Sequence, residues 1–74
     1  MYQALKAYNT QTQEEIDPAN CHELNTRIVL FKMDSAYTVY VESHVSASSV
    51  YASMEYAEAF EVYNACILTA KIVC

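Results

Sequence analysis

Cys21-His22-Glu23 is the stretch of this chain where a nucleophile, a base and a carboxylate stand side by side. A catalytic cysteine needs a histidine turned toward its sulfur and a third group holding that histidine. Neighbours along a helix point about 100° apart and do not face one another. Such sites are defined by geometry in space, so the triplet by itself predicts no catalysis. Zinc is the second chemistry on offer. Cys21, His22, Cys66 and Cys74 are suitable ligand types, but they lack the closely spaced pairs that mark zinc motifs. No metal and no cofactor is expected. His44 takes the outward side of an alternating segment and reads as a surface histidine.

The chain contains no glycine. Average usage is roughly 7%. Phosphate-cradling loops, dinucleotide fingerprints and nucleophile elbows all depend on glycine. A non-enzymatic protein is therefore expected. Charge narrows the choice further. Four Lys and Arg stand against nine Asp and Glu, a net charge of −5. Lys6, Arg27, Lys32 and Lys71 form no basic run, so direct nucleic-acid binding is not expected. An acidic chain suits a protein partner with a basic surface.

The carboxylates form two groups. Glu14, Glu15, Asp17 and Glu23 fall in the first connection, and Glu55, Glu58 and Glu61 fall on the segment expected to be helical. Glu55 and Glu58, three apart, repel weakly on a helix. Tyrosine is in excess, with seven residues. It supplies rigid contact area with a polar tip, and beside carboxylates it suits lysine- and arginine-rich partners. The expected partner-binding residues are Tyr51, Glu55, Glu58, Glu14, Glu15 and Asp17.

With 74 residues, positions 1–74 are read as one small domain. Three cysteines without a CxxC pair fit reduced thiols. The first residues lack a charged stretch followed by an apolar run. No apolar stretch approaches the ~20 residues of a membrane helix. No membrane partner and a cytoplasmic location are the expectations.

Residues 2–9 alternate loosely and read as a strand, with Leu5 and Ala7 on one face and Tyr2, Lys6 and Tyr8 on the other. Residues 10–15 are polar and read as a loop. Asp17-Pro18 is a helix-start signal, giving a short helix to about Glu23. Arg27–Met33 and residues 36–45 form a hairpin around Asp34-Ser35. Without glycine, that turn is expected to be longer or less regular. Ser46 starts a helix to about Val62, with Val50, Met54, Ala57 and Phe60 inward, and Asn64 ends it. Residues 65–73 alternate and read as a last strand. The result is α+β: a two-layer sandwich, about four antiparallel strands and one main helix, a reduced ferredoxin-like βαββαβ arrangement.

One helix cannot roof both faces of such a sheet. Ile28 and Leu30 oppose Val29, Phe31 and Met33 along one strand, so both faces are apolar. An exposed apolar patch marks an interface. Tyr2, Tyr40, Ile28, Leu30 and Ile67 are the residues expected to form a homodimer face.

The segment Tyr37–Phe60, YTVYVESHVSASSVYASMEYAEAF, runs a tyrosine/valine strand into an alanine-rich, acid-bearing stretch. In this it resembles small phage-encoded proteins, among them anti-CRISPR proteins. The resemblance is one of style and covers about a third of the chain. It implies an inhibitor that blocks a basic surface of a bacterial defence complex, such as a CRISPR effector, by occlusion. A small homodimeric structural or assembly protein is the alternative.

Overall fold

The computed structural model describes residues 2–19, 26–43 and 47–73. Five strands precede one helix: β1 (Tyr2–Asn9), β2 (Glu14–Ile16), β3 (Arg27–Met33), β4 (Ala36–Glu42), β5 (Ala47–Ser53) and α1 (Tyr56–Val73). All pairings are antiparallel, in the order β2-β1-β3-β4-β5. The fold is thus α+β, as the patterning implies. Its five strands followed by a single described helix depart from the ferredoxin-like order.

The β3–β4 hairpin is tighter than expected. Met33 pairs with Ala36, so Asp34-Ser35 alone makes the turn. Asp34 takes the left-handed backbone region, φ 54°. Aspartate tolerates that region better than most residues with a Cβ, so it replaces the missing glycine. Asn9 organises the β1–β2 turn. Its Oδ1 accepts the N–H groups of Gln11 at 2.9 Å and Thr12 at 3.4 Å. Gln13, at φ 59°, donates its N–H to the Asn9 carbonyl at 2.9 Å. The last two residues of the expected loop, Glu14 and Glu15, are therefore strand. Asp17 Oδ1 accepts the Ala19 N–H at 3.0 Å, which caps a short 3₁₀ turn at Pro18-Ala19. The remainder of the expected first helix, with Cys21, His22 and Glu23, lies outside the described residues, as do His44, Ser46 and Cys74.

The largest departures lie in the last third. Ala47–Ser53, expected to be helical, forms β5. Residues 65–73, expected to be a strand, form the second half of α1. Asn64 sits exposed inside the helix and does not end it. Val50 and Met54 are exposed rather than inward. Among the described helix side chains, Ala59 and Tyr63 are fully buried, with Cys66 and Ala70 continuing the stripe. That spacing of four, three and four is a helical period. Thr69 stays compatible with the helix by donating its hydroxyl to the Ala65 carbonyl at 2.9 Å.

The helix covers one face of the sheet. Beneath it lie Tyr8, Ile28, Leu30 and Val39, packed on Ala59 and Tyr63. Each large apolar side chain so buried contributes roughly 1.5–3 kcal/mol. Ile28 and Leu30, expected on an open dimer face, are core instead, at 2% and 0% exposure. Ile67 lies on α1, half-buried against that core. Tyr40 does take the other face, where Ala7 and Val29 are buried among Ala4, Ile16, Phe31 and Tyr40. A bulge falls at Leu5, because Ala4 pairs with Phe31 and Lys6 with Leu30. The extra residue shifts the alternation. Ala4 therefore joins Ala7 on the side away from α1, while Lys6 and Tyr8 face the helix.

Candidate partner-binding surface

Only Met54 and Glu55 connect β5 to α1. So short a link brings the end of the edge strand against the first helical turn. Ser53 Oγ accepts the Glu55 N–H at 3.0 Å and donates to Glu58 Oε2 at 2.8 Å. A hydroxyl has one donor and two acceptor sites, so it does both at once. Tyr51 donates its phenol to the same Glu58 oxygen at 3.3 Å. The first free helical N–H groups favour negative charge nearby, and Glu55 and Glu58 lie there, both exposed. Three of the expected partner residues, Tyr51, Glu55 and Glu58, are thereby held in one place.

The other three lie elsewhere. Glu14 and Glu15 belong to β2 and Asp17 follows it, at the opposite edge of the sheet. Four strand spacings separate β2 from β5, about 19 Å. Glu15 is also held by Lys6, at 3.7 Å, and the Lys6 ammonium lies 5.4 Å from the Phe60 ring centroid. The acidic surface is two separate edges, and at the β5–α1 corner a carboxylate is held by two side-chain hydroxyls.

No family model, no curated protein and no solved structure matches this chain.

On the sheet face away from α1, Arg27 and Glu42 pair at 3.0 Å with both side chains largely buried. Tyr40 donates its hydroxyl to the same Glu42 oxygen at 3.4 Å, and the Arg27 guanidinium lies 5.8 Å from the Tyr40 ring centroid. The sequence reading missed this pair. Its signal was the turn itself, since Arg27 and Glu42 are equally far from Asp34-Ser35 and therefore face each other.

Between the C-terminal half of α1 and the sheet lies a cleft of about 590 Å³. Ile28, Val41, Val62, Cys66 and Ala70 form its apolar wall. Small helix side chains leave this space open. Burial pushes the Cys66 thiol above its ordinary pKa, which disfavours the thiolate. Among the described residues no three His, Cys, Asp or Glu side chains are grouped to hold a metal. None of the described helices is long and apolar enough to cross a membrane.

Among the described residues, Tyr8 and Tyr63 are buried with unpartnered hydroxyls. Burial raises the Tyr63 pKa well above the ordinary phenol value; the nearby Glu15 charge and Tyr8 add to this.

Proposed function

We propose that this chain is a non-enzymatic binding protein that docks on a basic surface of another protein and occludes it. The contact is the β5–α1 corner, with Tyr51, Glu55 and Glu58. The observation that carries this reading is the double hydrogen bond from Tyr51 and Ser53 onto Glu58. An exposed carboxylate held by two hydroxyls has already lost much of its rotamer freedom. Less ordering then remains for a partner's lysine or arginine to impose, which favours affinity. The neighbouring tyrosine ring adds apolar area and a cation-attracting face.

Inhibition of a bacterial defence complex, by a phage-encoded protein, is the specific form of this function that the sequence resemblance implies. The β2 acids, on the far edge, fall outside the primary contact. The test is capture from bacterial lysate followed by mass spectrometry, with the wild type and the Glu55→Lys, Glu58→Lys double variant. The wild type should retain a partner that the double variant loses while its circular dichroism stays unchanged. Equal capture by a folded double variant rejects the acidic corner.

A further inference from the structure

The two edges of the sheet differ in how they are protected. β2 is three residues long, carries Glu14 and Glu15, and is followed by Asp17-Pro18. Shortness, charge and a nearby proline are the usual guards against strand addition. β5 is seven residues, Ala47–Ser53, with no charge and no proline. Its one guard is a bulge at Val50, the residue left over between the Val39–Tyr51 and Tyr40–Ser49 pairs. Residues 47–50 are all exposed, and among the described residues nothing pairs with the outer side of β5.

We propose that β5 accepts an extended basic segment of a partner protein as a sixth strand. This rests on the reading of the β5–α1 corner as the contact surface, and names what the partner brings to it. Strand addition draws affinity from main-chain hydrogen bonds and specificity from side chains flanking the groove. Here Tyr51 lies within β5, and Ser53 at its end links directly to Glu55 and Glu58. A strand laid along β5 runs past these carboxylates, so lysine or arginine at alternate positions meets them on one face. A second copy of this chain offers a poorer match. Its own β5 has no basic side chain to give. Of the chain's four basic residues, Lys6 and Arg27 are already engaged with Glu15 and Glu42.

The probe is a fluorescent heptapeptide of alternating lysine and threonine, titrated into the wild-type protein and followed by anisotropy and amide NMR. Saturable binding is expected, with shifts concentrated in residues 47–53. A glutamate–threonine peptide should fail to bind. The Glu55→Gln, Glu58→Gln variant should weaken binding at least tenfold. A lysine–threonine peptide N-methylated at every amide keeps its charges but cannot pair as a strand, and should lose binding. If that peptide binds as tightly as its parent, strand addition is wrong while the acidic contact surface stands. If the double variant binds like wild type, the contact surface itself is wrong. A concentration-dependent dimer in light scattering, with matching shifts in β5 and no peptide present, assigns the edge to a second copy and overturns the proposal.

Discussion

Ser53 Oγ sits 2.8 Å from Glu58 Oε2 and 3.0 Å from the Glu55 backbone nitrogen, so one hydroxyl ties the last residue of the sheet to the first turn of the helix. The tie acts as a cap, because it satisfies a backbone donor that the helix leaves free. Ser53→Ala should therefore lower stability by about 1 kcal/mol, the usual worth of a capping side chain. Urea denaturation of both proteins measures it. A value near zero means that water replaces the hydroxyl without loss.

The paired outer-face charges make a stronger case. Arg27 and Glu42 meet at 3.0 Å with most of each side chain out of water. Neutralising Glu42 takes the charged acceptor away from both the Arg27 guanidinium and the Tyr40 hydroxyl. Glu42→Gln should cost about 2 kcal/mol, in the range for hydrogen bonds to charged groups. Equilibrium denaturation checks the value. The Lys6–Glu15 pair, more exposed at 3.7 Å, should show under about 1 kcal/mol in the same assay.

How much of this was readable beforehand depends on which side chains each element uses. β3 and β4 are dense in β-branched and aromatic residues, and their pairing follows from Asp34-Ser35. The sequence ASSVYAS of β5 has no such signature. Alanine favours helix and serine favours neither class, so β5 becomes a strand because β4 offers it a ladder, a tertiary effect that overrides propensity. Residues 65–73 misled for the opposite reason. Cys66, Leu68, Ala70 and Ile72 alternate, and β-branched residues favour strands. Yet Ala59, Tyr63, Cys66 and Ala70 also continue a helical stripe, and that longer period is the one the core uses. At the corner site, Tyr51, Glu55 and Glu58 were legible as chemistry but not as geometry. Their meeting depends on a strand ending at Ser53, where a helix had been expected.

Cys66 lies half-buried along the apolar cleft, and its thiol is pushed above the ordinary cysteine range by burial. Only the thiolate is nucleophilic. In a Cys21→Ser, Cys74→Ser background, Cys66 should react with a disulfide reagent at pH 8 several-fold more slowly than a free thiol. Unfolding in urea should restore the ordinary rate. Equal rates in the folded and unfolded protein would mean that the cleft gives reagent and water free access.

Tyr63 gives the sharpest pH prediction. Its hydroxyl is buried and, among the described residues, has no partner, as is the case for Tyr8. A buried unsatisfied donor costs free energy that its apolar isostere does not. Tyr63→Phe should therefore keep the core packing and raise stability by about 1 kcal/mol. Tyr63→Ala should instead lose about 3 kcal/mol or more through the cavity it leaves. Alkali separates these further. Burial, then Glu15, then Tyr8 raise the folded-state pKa above the unfolded value of 10.0. Above that pH the unfolded chain releases a proton that the folded chain keeps. Proton uptake is then greater in the native state, and stability falls as pH rises. Wild-type stability should decline from about pH 10 upward, and Tyr63→Phe should flatten that decline. Parallel slopes for the two proteins between pH 9 and pH 11 would show that the phenol ionises as easily folded as unfolded.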